Sequence, residues 1–506
     1  MATPAEKLAE SLSALKSLQD AGAVAIRSGQ LSRTHRQRLV KAGFIHEVMK
    51  GWYTLTRPDE PAGESTSWFA SYWAFCADYL RDRFGEDWSL SPEQSLSLHI
   101  GDWTIPKQLL VRSPKGGNKP TELLFGTSVF DMRLGLPPAD DVEVNNGLRA
   151  FNLPAALIGC AASHFAEHSD HLRAALAMIP EETDILRRLL ASGRSVVAGR
   201  LAGAFRNIGR DEIADRILRA MRDAGYVVHE ADPFNDQPAV RFAARATAPY
   251  VNRLKLLWAS MRGPILQAFP AAPGLPRDAA GYLKRVDDIY TADAYNSLSI
   301  EGYRVSAELI ERVRSGHWNP DIDQNDRQNR DALAARGYWQ AFQSVKKSLE
   351  SILGGEEPAA VVSRDYDDWY RQLFAPSVTA GIVKPADLAG FRNGPVYIRR
   401  SMHIPPSREA VRELMPQFFE LLKAEAEPAV RVVLGHFVFV YIHPYTDGNG
   451  RMGRFLMNAM MAAGGYSWTI IPLDRRTEYM ASLEAASVGQ NIKPFAGFLA
   501  TLVRQE

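Results

Sequence analysis

The chain has 506 residues, 46% of them apolar and 23% charged, with a formal net charge of +1. That length exceeds one comfortable core and predicts roughly two to four domains, while near-neutrality excludes a molecule that presents itself as a whole to polyanions and leaves only local basic patches. Cys76 and Cys160 are too few for a disulfide framework and read as small core residues of a protein in a reducing compartment. No run reaches the ~18 apolar residues of a membrane span, and the acid-bearing amphipathic N-terminus lacks a signal-peptide apolar stretch. The expected location is cytoplasmic, with no membrane partner.

Residues 5–19 predict an amphipathic helix. "GAVAIRSGQ" has the length and composition of a short second helix, and Ser32 or Thr34 is placed to cap "RTHRQRLVKAG", which stops at Gly43. "FIHEVMKGWYTLTR" alternates around Lys50-Gly51 and predicts a hairpin. Helix, turn, helix and hairpin over 1–60 define a winged-helix-like unit. Arg33, His35, Arg36, Arg38 and Lys41 crowd its second helix, where phosphate and major-groove contacts are made. Duplex DNA bound through 31–50, a solvated charged face and a protein-docking face all remain open on these residues.

Residues 61–268 predict a mixed α+β block. "SWFASYWAFCADYLRDRFG" reads as an aromatic helix, "WSLSPEQSLSLHIGDWTIPKQLLVRSP" and "NKPTELLFGTSVFDMR" as strands and turns, and the stretch to about 225 as helices. His164, His168 and His171 have a spacing that would suit a metal. No acid or cysteine partner stands out, so surface or N-cap histidines are expected. The stretch "LSRTHRQRLVKAGFIHEVMKGWYTL" and the order of elements behind it loosely resemble AbiEi-type antitoxin regulators.

The proline-rich "FPAAPGLPRD" marks a boundary, and 269–506 predicts a mainly helical domain. Within it "FVFVYIHPYTDGNGRMGRF" places flexible and cationic residues at the end of a strongly apolar run. Gly448 and Gly450 permit unusual backbone angles and close approach, so "DGNG" can turn amides inward as an anion-binding nest. The helix beginning near Arg451 aims further amides at the same place. Arg451 and Arg454, three apart, share a face and can fork onto phosphate oxygens. Asp447 is placed to hold a divalent cation against those phosphates, and His443, with a natural pKa near neutrality, to act as a general base. An ornate turn would account for "DGNG" alone, but not for the histidine before it and the arginines after it.

"HPYTDGNGRMGR", His443 to Arg454, resembles the Fic family signature, and the resemblance spans roughly 280–500. It implies a helical core that transfers AMP from ATP, with Mg2+, to a Ser, Thr or Tyr hydroxyl of a target protein, including self-modification. By that resemblance His443 is the base and Asp447 the Mg2+ ligand. Gly448, Asn449 and Gly450 form the nest, Arg451 and Arg454 neutralise the departing phosphates, and Pro444 and Tyr445 anchor the loop. "SLSIEG" is similar to the family's inhibitory pattern, placed ahead of the core. It implies that Glu301 forms a bidentate pair with Arg454 where the γ-phosphate belongs, with Ser297 and Gly302 shaping the inhibitory helix end. "FRNGPVYIRRSMHIPP", expected as an extended pair turning at Asn393-Gly394, matches the flap on which targets dock, near 391–405. His403 is a second histidine there, but the motif already supplies the base. The rival readings are another phosphate-containing donor, removal of AMP, and a DNA-binding antitoxin-like regulator with a silenced core.

Overall fold

A computed structural model describes residues 3–61, 63–237, 248–317 and 330–504. The chain divides into two units: Met1–Arg253 with Tyr397–Ile404, and Leu254–Val396 with Pro405–Glu506. The mainly helical region is C-terminal and an α+β region precedes it, as the sequence predicts.

In the first unit, Thr3 and Glu6 form a capping box that starts helix Pro4–Asp20. "GAVAIRSGQ" is not a helix. Ala25–Arg27 forms strand β1, because pairing with the hairpin buries Ile26 completely. The segment is too short to show a strand's period, and tertiary pairing overrides its local preference. Ser32 caps helix Arg33–Lys41 by accepting from the His35 amide at 3.2 Å. Strands β2 (Ile45–Met49) and β3 (Trp52–Leu55) pair antiparallel across the Lys50-Gly51 turn, and the sheet order is β1-β3-β2. Leu15, Ile26, Leu31, Leu39, Ile45 and Tyr53 form the core of this region.

Helix Thr66–Phe84 carries Trp68, Tyr72, Phe75 and Cys76 into a second core. That core lies against the sheet of β4 (Ser89–Leu90), β5 (Gln108–Ser113), β6 (Pro120–Glu122) and β7 (Ser128–Arg133), ordered β4-β5-β7-β6 with only β5 and β7 parallel. The stretch expected as strands and turns contains helix Pro92–His99, started by the Ser91 cap and Pro92 in its first turn. A hairpin, β8 (Val142–Asn145) with β9 (Leu148–Phe151), leads into helices that include Ala162–Glu167 and Ser169–Ala177. Cys76 and Cys160 are buried free thiols.

Residues 397–404 belong to this first unit. Met402 accepts from the Ile105 amide at 3.0 Å, Met402 and Ile404 pack on the second core, and Arg399 pairs with Glu64. Residues 391–405 form no β-ladder, so the expected extended pair is absent. The turn falls at Arg399-Arg400, not at Asn393-Gly394, because the backbone and side chains of 399–404 are taken up by these contacts.

In the second unit helices Arg330–Leu353 and Pro358–Thr379 pack as a hairpin, and Pro428–Ile442 packs on Asn449–Gly464. Pro428–Ile442 is apolar on nearly every face because it is surrounded, with almost every residue buried. It ends at His443, whose φ of 53° is left-handed, and Pro444 cannot continue it. The polar loop therefore sits at the mouth of the domain's central helix. Helix Tyr290–Ile300 is docked by buried Asp293, which accepts from Tyr338 Oη at 2.7 Å and Trp468 Nε1 at 3.0 Å. Ser297 and Glu301 follow at intervals of four and so lie along the same side of the helix end.

Candidate active site

Every residue of the expected site except the flap residues 397–404 lies in the second unit. Gly448, with φ +85°, starts helix Asn449–Gly464, and a Cβ there would meet the Phe374 ring at 2.9 Å. A Cβ on Gly450 would come 2.2 Å from Glu301 Oε1. Glycine at both positions keeps a cradle open that any side chain would fill. The amides of Asn449, Gly450 and Arg451 open the helix, where no earlier turn supplies carbonyls to accept them.

Asn449 serves the loop more than the cradle with its side chain. Its Oδ1 accepts from the Tyr445 amide at 3.0 Å, and its Nδ2 donates to the Tyr445 carbonyl at 2.8 Å. It offers a ligand its backbone amide. Tyr445 is anchored as expected. Its ring stacks on Tyr370 at 3.7 Å, its hydroxyl donates to Asp367 at 3.0 Å, and burial followed by Asp367 pushes that hydroxyl's pKa far up.

Nδ1 of His443 lies 3.1 Å from the Val440 carbonyl, which makes that nitrogen the proton-bearing one and leaves Nε2 as a free acceptor. Burial lowers its pKa to about 4, with Arg392 adding to the shift while Val440, Glu301 and Asp447 oppose it. The near-neutral value expected from residue type is thus displaced by desolvation. The loop is also held by Arg392, which sequence reasoning missed. Its Nε donates to the His443 carbonyl at 2.8 Å, its amide to the Pro444 carbonyl at 2.9 Å, Nη1 to Gly394 at 3.0 Å, and Nη2 to Pro406. Arg392 is 4% exposed. An arginine directly before the Asn393-Gly394 dipeptide was its only sequence signal.

Asp447 accepts from its neighbour's amide, Gly448 N, at 2.6 Å, and lies 3.3 Å from Arg451 Nη2 with its side chain 57% exposed. Arg451 is buried, with Tyr303 and Phe374 each 5.1 Å from its guanidinium. Arg454 Nε donates to Ser297 Oγ at 2.8 Å, and Nη2 donates to the Ser297 carbonyl at 3.0 Å and to Glu301 Oε1 at 2.7 Å. The pair is therefore single-contact, not bidentate: Ser297 already occupies the Nε edge of the fork. Burial acts to raise the Glu301 pKa, but Arg454 and then Arg451 outweigh it and hold the carboxyl below its usual range. Gly302, with φ +91°, ends the helix there.

Arg451 Nε and Arg454 Nη1 are buried with no hydrogen-bond partner among the described residues, and Arg451 Nη2 has only the Asp447 ion pair at 3.3 Å, without hydrogen-bond geometry. Orphaned guanidinium donors around an open amide nest fit an anion with several oxygens. Exposed Asp447 beside them fits the oxygen ligation that Mg2+ takes alongside phosphate. His403 belongs to the first unit.

This is the site of a Fic/DOC domain, and residues 363–461 match the Fic/DOC family. The chain is 38% identical over 228 residues to the protein adenylyltransferase Fic of Drosophila melanogaster, covering 44% of this chain and 42% of that protein. It is 29% identical over 240 residues to that of Drosophila willistoni, covering 46% and 44%. It spans less than half the length of these curated relatives. Among solved structures, Fic-1 (aa134–508) from C. elegans aligns with 19% identity over 68% of this chain and 96% of that chain, with a TM-score of 0.36.

Proposed function

We propose that the second unit is a protein adenylyltransferase, moving AMP from ATP to a Ser, Thr or Tyr hydroxyl, and that Glu301 holds it at rest. The observation that carries this reading is the set of orphaned donors of Arg451 and Arg454 facing the amide nest, next to a histidine whose tautomer leaves Nε2 as acceptor. In the reaction the target oxygen attacks the α-phosphorus in line. The new O–P bond forms as the bond to the β-phosphate oxygen breaks, and the hydroxyl proton passes to His443 Nε2. The amides of Asn449 and Gly450 and both arginines meet the charge that accumulates on the leaving pyrophosphate. Asp447 would hold Mg2+, which supplies further charge neutralisation when bound. Ser297, Glu301 and Gly302 form the inhibitory element, with the carboxylate against the arginine that the γ-phosphate needs.

The division into 1–60, 61–268 and 269–506 is part of this proposal, as are a target docked near 391–405, self-modification and a cytoplasmic location. The buried free thiols suit a reducing compartment, and among the described residues no helix is long and apolar enough to cross a membrane. Duplex DNA binding through 31–50 is a second reading for the first unit. It is supported by exposed Arg33, Gln37 and Lys41, spaced by four on one face. Arg36 and Arg38 support it less, because they donate to the Ser28 and Lys7 carbonyls.

The test is mass spectrometry of the protein and of a lysate after incubation with ATP or other nucleotide donors, for wild type and His443→Ala. AMP adducts lost in the alanine variant, with ATP affinity kept, are expected. Adducts that persist in the variant would overturn the assignment of the base, and adducts from another donor alone would overturn the choice of ATP.

A further inference from the structure

His164, Glu167 and His168 lie on one turn of the first unit, far along the chain from the motif. Buried Phe165 fixes the rotation of helix Ala162–Glu167, packing near Phe234 at 5.8 Å with Arg200 over its ring at 5.1 Å. Positions 164, 167 and 168 are then neighbours on the adjoining flank, at spacings of three and four. One nitrogen from each imidazole and one carboxylate oxygen all lie within 4.8 Å of one another. The rings of His164 and His168 are 4.3 Å apart at 40°. Among the described residues, none of the three side chains makes a hydrogen bond or ion pair.

In sequence Glu167 stands three residues after His164 and directly before His168, and the helix turn brings its carboxylate beside both imidazoles. His171, the third histidine, is differently engaged: Nε2 is 3.4 Å from Asp102, which also pairs with Arg253 at 3.1 Å. It is a core histidine and no part of the cluster.

We propose that His164, Glu167 and His168 bind a zinc-class divalent ion. Two imidazoles and one carboxylate are a donor set that suits Zn2+ and other borderline transition metals, whereas Mg2+ prefers oxygen ligands alone. A tetrahedral ion with arms of about 2.1 Å wants its ligand atoms roughly 3.4 Å apart. Rotation of the exposed Glu167 and His168 side chains supplies the difference. The ion would clamp the junction at His168, which both caps Ala162–Glu167 and precedes Ser169–Ala177. The fourth position would be left to water.

The test uses the full chain, stripped of metal, and titrated with Zn2+ by calorimetry and with Co2+ by visible absorption, in the presence of millimolar Mg2+. One saturable site is expected, with the visible bands of tetrahedral Co2+ and a higher thermal midpoint, because the ion binds only the folded state. Altering a residue that merely orients a metal ligand already costs about 10- to 100-fold in affinity. Losing a direct ligand in His168→Ala should therefore cost at least about a hundredfold, and His164→Ala/His168→Ala should abolish binding. His443→Ala should leave it unchanged, which separates this site from the catalytic one. If the double variant fails to fold, His168→Ala carries the test, since His168 is exposed. No stoichiometric binding by wild type, or binding indifferent to His168→Ala, would overturn the proposal.

Discussion

Replacing Glu301 by glycine should raise AMP transfer by roughly 10- to 100-fold. The perturbation removes the one carboxylate that, among the described residues, is in contact with Arg454, at 2.7 Å. A charge-assisted hydrogen bond is worth about 1.5–3 kcal/mol, and about 1.4 kcal/mol corresponds to tenfold in rate. The Glu301 side chain is 26% exposed and that of Arg454 only 5%. Solvent therefore screens the pair from one side, which favours the lower half of that range. Ser297 also limits the gain, because it keeps Arg454 Nε and shares Nη2 after the glutamate has gone. Glu301→Gln separates charge from bulk. It keeps an oxygen near Gly450 but loses the ion pair, and should fall between wild type and glycine. Lowering pH is not an alternative release. Because the folded-state pKa of Glu301 is depressed, its pair contributes stability above the usual carboxylate range and is lost only as pH falls through the lower folded value. The assay is the rate of labelled AMP incorporation into the protein itself and into lysate proteins, alongside ATP affinity. A folded, ATP-binding glycine variant no faster than wild type would refute the reasoning.

The pH profile tests His443. With burial holding its free-enzyme pKa near 4, kcat/KM of the Glu301→Gly variant should lose activity as pH falls through about 4 and show no limb near 6.5, and a limb at 6.5 would mean a solvated base. The same depression means that neutral His443 adds stability above about 6.5 that is lost as pH drops toward 4. Arg392→Ala, also in the Glu301→Gly background, should lower kcat about tenfold or more with little change in KM, because it frees the carbonyls of His443 and Pro406 without touching substrate; an unchanged kcat would remove its positioning role. In the first unit, full-length protein carrying Arg33→Glu and Lys41→Glu should lose duplex DNA affinity with a shallower salt slope in fluorescence anisotropy, and equal binding by both proteins would rule out this face as the DNA contact.

What the sequence made legible was chemistry carried by contiguous residues. The motif from His443 to Arg454 could be read as a phosphate cradle because a nest, a helix start and two arginines are all local, and local geometry follows from local sequence. "SLSIEG" was legible only through resemblance, since its partner lies 153 residues away. The residues missed around the motif loop share that non-local character. Arg392 reaches the loop across 51 residues, and Asp367 meets the Tyr445 hydroxyl across 78. Strand β1 failed for the same reason. Three residues have no period of their own, and Ile26 becomes strand only because Tyr53 is there to pair with it. In the flap the turn dipeptide Asn393-Gly394 was a sound local signal, but it was overridden once 397–404 were taken up in the core around Trp68.

The electrostatics of the resting site follow from the same residues. Two guanidinium groups, Arg451 and Arg454, face two carboxylates, Asp447 and Glu301, so the cradle is close to balanced without nucleotide. The balance is uneven in kind. Arg454 is bound on its Nε edge and at Nη2, while Arg451 lies between two aromatic rings with two donors unmet. Flat aromatic faces compensate a guanidinium's charge only weakly and give it no acceptor. Arg451 thus has donors free for an anion, and Arg454 is the residue that Glu301 and Ser297 already engage. A phosphate that reaches Arg451 first gains full hydrogen bonds there. On the proposed function, one that must also reach Arg454 has to displace Glu301, so the contact would act on how the distal phosphate is aligned and leave entry of the nucleotide open. Loss of the pair should therefore appear mainly in the rate of transfer, with ATP affinity changing much less.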